Sequence, residues 1–114
     1  MMGKETGEGA ALQGSALSSH DTTILAETFR LLGDPTRLRI LFFCIARPQS
    51  VGDIAEALGL SPSLVSHHLR LLRGARLVRG ERRSRQVFYA VADCHVSDML
   101  TDMAVHIAED QPEE

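Results

Sequence analysis

Four helices, a β-hairpin and a last helix, a mainly α chain, form the fold class this sequence predicts. Three observations predict it. A capping residue stands directly before proline twice, at Asp34-Pro35 and Ser61-Pro62. Apolar residues keep a helical spacing up to Gly74. The pattern then changes to an arginine-rich alternation in "LVRGERRSRQVFYAVA", residues 77–92.

Taken in order, residues 1–18 are rich in Gly, Ala and Ser and show neither period, so a flexible arm is expected there. The first helix is expected over 21–32, with Ile24, Leu25, Thr28, Phe29 and Leu32 on one side and Gly33 at its end. A second helix starts after Asp34-Pro35 and stops before Pro48. Ser50 caps a short third helix that Gly59 terminates, and Ser61-Pro62 opens a fourth that reaches Gly74. Two strands follow around a polar turn at Arg83-Ser84-Arg85, the second covering 86–91. Asp93 is a natural N-cap for the last helix. One domain over 19–110 is expected, with an acidic tail at 111–114.

Bulk composition narrows the function. The chain has 114 residues, 44% of them hydrophobic and 24% charged, as in an ordinary globular protein. No apolar run suits a membrane span, and no leader pattern opens the chain, so a cytoplasmic protein with no membrane partner is expected. The two cysteines, Cys44 and Cys94, form no CxxC. The net charge of −3 conceals a strong asymmetry. Seven arginines and one acid lie between Ser61 and Ala92, and seven acids with no Lys or Arg follow from Asp93 onward. The first stretch suits a polyanion, the second a cation.

"VGDIAEALGLSPSLVSHHLRLLRGARLV" holds two short helices joined by a tight turn at Gly59-Leu60-Ser61. Ile54, Ala55 and Leu58 are expected to pack against Leu64, Val65, Leu69 and Leu72. That leaves Ser63, Ser66, His67 and Arg70 on another face, short hydrogen-bonding groups followed by a cation. A helix that enters a major groove needs this mix, because its backbone must come close before side chains meet base edges. The basic hairpin beside it supplies a wing whose Arg82, Arg83 and Arg85 reach phosphates or a minor groove. The expected architecture is therefore a winged helix-turn-helix that reads double-stranded operator DNA through Ser61, Ser63, Ser66, His67, Arg70 and the three wing arginines. His68 is read as a packed or capping side chain as readily as a contact. Such a module binds an inverted repeat as a homodimer.

These residues resemble the ArsR/SmtB family of bacterial metal-responsive repressors, over roughly residues 22–110. "LLGDPTRLRIL", the "SVGDIAEALGLSPSLVSHHLRLLRGARLV" segment and the ending "FYAV" carry the likeness. The resemblance implies a dimer through the first and last helices, and repression relieved by metal. One family metal site uses a cysteine just before "VGD"; this chain has Ser50 there, and that site is not expected. The other lies on the last helix, where the family pattern falls on Asp93, His95, His106 and Glu109.

Geometry says how such a site is built. Eleven residues of helix place His95 and His106 about 16 Å apart along the axis, whereas one zinc ion holds imidazole nitrogens at about 2.0–2.1 Å. The two histidines of one straight helix therefore cannot share an ion. Val96, Met99, Leu100, Met103, Ala104 and Ile107 form a helical stripe that requires burial, and both histidines flank the same edge of it. The midpoints of His95 with His106 and of Asp93 with Glu109 both fall at Leu100-Thr101. Two antiparallel copies crossing there yield two equivalent sites, each with Asp93 and His95 from one chain and His106 and Glu109 from the other. Asp102, between the histidines, is the alternative to Glu109. Nitrogen and carboxylate donors without thiolate favour Zn²⁺, with Co²⁺, Ni²⁺ or Cd²⁺ as further candidates, and His20 or the terminal acids as extra ligands. A four-ligand closed site fits a sensor and not an enzyme. The alternative function in the same fold is a thiol-based redox or sulfide sensor using Cys44 and Cys94.

Overall fold

The computed structural model describes residues 17–109. Of the expected arm only Leu17 and Ser18 are described, and the expected tail at 111–114 lies outside the described residues. The chain forms two compact units, divided between Arg30 and Leu31.

Helix α1 spans Ser19–Leu32 and begins two residues before the expected start. The reason is local: Ser18 Oγ accepts from the Asp21 N–H at 3.0 Å, and its carbonyl accepts from Thr22 at 2.9 Å. In the first unit Ile24, Leu25 and Phe29 stay exposed.

The second unit carries the remaining elements. Helix α2, Pro35–Ala46, starts where Asp34 Oδ1 accepts the Arg37 N–H at 3.1 Å. That bond holds the Asp34 carboxyl below its ordinary range. Strand β1, Gln49–Ser50, leads directly into helix α3, Val51–Leu58, whose cap is Ser50 Oγ accepting from Asp53 N–H at 3.1 Å. Gly59 closes α3 in the left-handed region, φ 70° and ψ 39°. Helix α4, Pro62–Gly74, is capped by Ser61 Oγ, which accepts from Leu64 N–H at 3.1 Å. Its exit uses Arg76 at φ 61°, so that Leu77 N–H reaches the Leu72 carbonyl at 2.9 Å. Strands β2, Val78–Arg83, and β3, Gln86–Val91, then form the hairpin, and helix α5 runs Cys94–Glu109.

Two details differ from the sequence reading. Arg83 belongs to β2, opposite Gln86, so the turn is Ser84-Arg85 with Ser84 at φ 60°. The sheet also has a third strand: β1 pairs antiparallel with β3, Gln49 opposite Tyr89 and Ser50 opposite Phe88, in the order β1-β3-β2. Two residues are too few to show a period, so only the pairing reveals this strand.

The core of this unit gathers the inner side of each element. Val65, Leu69 and Leu72 of α4 are buried with Ile54 of α3 and Ile40, Leu41 and Cys44 of α2. Each such aliphatic side chain contributes about 1.5–3 kcal/mol by leaving water. Leu64, expected in this packing, is 40% exposed. It lies about 40° of helix beyond His68, the near edge of the stripe of 65, 68, 69 and 72. The stripe of α5 is only half covered: Leu100 is 5% exposed, whereas Met103 is 49% and Ile107 56% exposed. The helix runs past the end of the core after its second turn.

A Cβ at Gly59 meets nothing within 4 Å, so the cost of replacing it is conformational alone. Gly59→Ala is expected to lower the unfolding free energy by about 1–2 kcal/mol, and Arg76→Gly to raise it by up to about 1 kcal/mol, both read by urea denaturation.

Candidate nucleic-acid interface and metal-ligand helix

Burial of one side of α4 decides what its other side offers. With Val65, His68, Leu69 and Leu72 turned inward, Ser63, His67, Arg70 and Arg73 are exposed and Ser66 is half-buried. Ser61, expected to touch DNA, spends its oxygen on the helix cap. His68 is a packed residue: 7% exposed, its Nδ1 accepting from Arg37 Nε at 3.1 Å.

Ser66, Leu69, Arg70, Arg73 and Gly74 of α4 face Tyr89 of β3 across an open groove of about 590 Å³. Arg73 and Tyr89 were not singled out from the sequence. Arg73 was legible there, three residues after Arg70 and seven after Ser66, hence on the same side of the helix. Tyr89 was not, because its place depends on cross-strand register. It lies opposite Gly80, where an added Cβ falls 3.1 Å from Val87 Cγ1 and 3.6 Å from the Tyr89 ring. Glycine thus makes room for the Val87 side chain, with the Tyr89 ring at ordinary contact distance beside it.

Strand parity divides the wing arginines that the sequence reading had grouped. Gly80 and Arg82 share the sheet face of Tyr89, the side toward the groove. Arg79, Glu81 and Arg83 lie on the other face. There Glu81 binds both cations, Oε2 to Arg79 Nη2 and Oε1 to Arg83 Nη2, each at 3.0 Å. The Arg83 guanidinium also stacks 5.0 Å from the Phe88 ring centroid. Arg79 Nη1 donates to the Val91 and Ala92 carbonyls at 2.9 and 3.0 Å, which anchors β2 to the end of β3. Arg82, and Arg85 in the turn, are exposed.

The four expected metal ligands all lie on or beside α5. Asp93 Oδ1 accepts the Val96 N–H at 3.1 Å, so one carboxylate oxygen caps the helix and the second remains for another partner. His95 lies in the first turn, and His106 and Glu109 in the last; all are exposed. The unbroken helix keeps the pairs apart, and among the described residues no three His, Cys, Asp or Glu side chains converge on a point. His106 and Glu109, at i and i+3, share one side of the helix, whereas Asp93 and His95 are two residues apart at its cap. Cys44 and Cys94 line one cavity of about 370 Å³ with Asp93 and Arg79. Cys94 is exposed, whereas Cys44 is 1% exposed and burial pushes its thiol up to about 12.

Comparison with known proteins decides the family. Residues 34–79 match the profile described as "Bacterial regulatory protein, arsR family". A transcriptional repressor SmtB homolog from Synechocystis is 39% identical over 98 residues, covering 86% of this chain and 74% of the relative. The chain belongs to the arsR family of bacterial regulatory proteins. Another relative, the HTH-type transcriptional regulator NmtR of Mycobacterium tuberculosis, is 38% identical over 99 residues, 87% of this chain and 82% of its own. The solution structure of apo-NmtR superposes with a TM-score of 0.71 at 34% identity, covering 90% and 92% of the two chains. A homodimeric winged helix-turn-helix DNA-binding domain from Mycobacterium bovis gives a TM-score of 0.77 over 88% and 95%, a likeness of fold at 22% identity. In this arsR-family chain α3 and α4 are the helix-turn-helix, and β2 and β3 the wing. No helix among the described residues is long and apolar enough to cross a membrane.

Glu81 neutralises one wing cation that phosphate would otherwise draw. Glu81→Gln is expected to tighten DNA binding and to steepen its dependence on log salt concentration by about 1, the value for one added phosphate contact, in fluorescence anisotropy across a salt series.

Proposed function

We propose that this arsR-family regulator is a homodimeric repressor that leaves its operator when a divalent metal, Zn²⁺ first, binds between the last helices of two chains. One observation carries the metal part of this reading. Helix α5 is continuous from Cys94 to Glu109, so its two histidines lie about 16 Å apart on a rod that cannot fold back. The donors suit one ion only when a second chain supplies the other half.

The uncovered stripe supports the same arrangement. Met103 and Ile107 of α5 are exposed apolar side chains, as are Ile24, Leu25 and Phe29 of α1, and a second copy of the chain removes them from water. With α5 crossing its symmetry mate near Leu100-Thr101, Asp93 and His95 of one chain meet His106 and Glu109 of the other. Two imidazoles and two carboxylates fit Zn²⁺, and Co²⁺, Ni²⁺ and Cd²⁺ remain candidates. Asp93 serves with the oxygen that does not cap the helix. When bound, the ion supplies a cross-link between chains. In DNA binding, Ser66, His67 and Arg70 enter the major groove, Arg73 and Arg82 take phosphates on either side, and Arg85 extends the wing. Holding the two α5 helices together restricts the spacing of the two α4 helices, which successive major grooves require to be about 34 Å. By linkage, DNA weakens metal binding by the same factor as metal weakens DNA binding.

A thiol-based reading has one observation behind it, the cavity that Cys44 and Cys94 share. Burial works against it, because a thiol raised to about 12 stays protonated and is a poor nucleophile. Replacing both cysteines with serine separates the readings: under the first, release by Zn²⁺ survives; under the second, release is brought about by oxidant or sulfide in the wild-type protein and is lost in the variant.

Subunit complementation tests the metal site. His95→Ala and His106→Ala should each bind a duplex from the upstream region of their own coding sequence, measured by anisotropy, and each should lose Zn²⁺-induced release. Mixed and refolded together, they should regain tight Zn²⁺ uptake, because every heterodimer holds one complete site and one lacking both histidines. Full stoichiometric uptake by either variant alone would overturn the two-chain site.

A further inference from the structure

Arg37 makes three bonds that meet at the start of the reading domain. Its backbone N–H goes to the Asp34 carboxylate at 3.1 Å, Nη1 reaches the Leu31 carbonyl at 3.4 Å, and Nε donates to His68 Nδ1 at 3.1 Å. The last bond joins α2 to α4 within the core side of the helix that carries Ser66, His67 and Arg70. His68 is buried and makes this contact next to Leu69 and Val65.

The chemistry of the two partners makes the bond conditional. Guanidinium carries donors only and does not lose its proton in a protein. Nδ1 accepts from it only while that nitrogen is unprotonated. Protonation of His68 at Nδ1 therefore breaks the bond and sets two cations side by side in a buried place.

We propose that Arg37 and His68 form a proton-sensitive latch that positions the reading helix, closed while His68 is neutral and opened by acidification. Among the described residues, the charged and titratable groups facing His68 are Arg37 of α2, Asp34 at the cap of α2 and His67 from its own helix. Burial and the Arg37 charge hold the His68 imidazole below its ordinary range, against the opposing pull of Asp34, with His67 adding to the lowering. The sign follows. A histidine depressed in the fold contributes stability that is present above its unfolded pKa and is lost as pH falls through the folded one. The latch is thus closed at neutral pH, and its window of opening lies on the acid side of ordinary histidine. His67 is exposed on the other side of α4, its ring centroid 5.7 Å from that of His68.

The inference rests on the DNA-binding part of the proposed function and not on the metal. The test compares the wild-type protein with His68→Asn, whose Oδ1 occupies the Nδ1 position as an acceptor that does not titrate, while His67 is kept. Affinity for the duplex from its own upstream region is measured by anisotropy between pH 8 and pH 5, with chelator present. Wild-type affinity should fall relative to the variant by up to about tenfold per pH unit for each His68 of the dimer that takes up its proton. Imidazole ¹⁵N shifts of the wild-type protein supply a readout that needs no variant: His68 should show an unprotonated Nδ1 at neutral pH and a midpoint below the ordinary histidine range. Superimposed pH curves, or a His68 Nδ1 that carries a proton at neutral pH, would overturn the latch alone. Absence of duplex binding at every pH would overturn the DNA-binding reading and the latch with it.

Discussion

Removal of Val65, His68, Leu69 and Leu72 from water sets the rotation of α4 about its own axis, and most of what the molecule offers to a partner is a consequence. Three of these side chains are aliphatic and lock against Ile40, Leu41 and Ile54, from α2 and α3. The fourth is polar and needs a partner where it lies, which Arg37 provides. Once that rotation is set, Ser63, His67, Arg70 and Arg73 have no choice of side. The capping serines before and after α3 make the turn between the helices short, so little freedom remains in their crossing.

The wing obeys a second, simpler rule. Side chains of a strand alternate between faces, so neighbouring arginines cannot do the same job. Arg82 shares a face with Tyr89 and the groove beside α4, while Arg83 stands with Glu81, Phe88 and Arg79 on the other. A charge count over the hairpin treats these cations as equal. Pairing register separates one that is available from two that are held.

Helix α5 shows how a half-covered surface and a split ligand set can have one cause. Its first two turns close the core through Val96, Met99 and Leu100. Beyond Leu100 the same stripe is exposed at Met103 and Ile107, and the two histidines stand on either side of that boundary. A helix long enough to separate its donors by three turns also carries apolar side chains beyond the buried cluster that its first two turns join.

The order of elements, both cap-then-proline starts, the Gly59 stop and the Asp93 cap were legible in the amino-acid sequence, because each depends on a few adjacent residues and backbone geometry. The exposed face of α4 was legible too, from helical period alone. Strand β1 was not, nor was Tyr89 in the groove, nor the division between Arg82 and Arg83, because pairing partners come from distant parts of the chain. Leu64 looked like core by composition and was excluded by the angle it subtends on the helix. His68 shows the division most clearly. Sequence left it open between packing and contact, and only the folded chain buries it and brings Arg37, thirty-one residues away, against its ring.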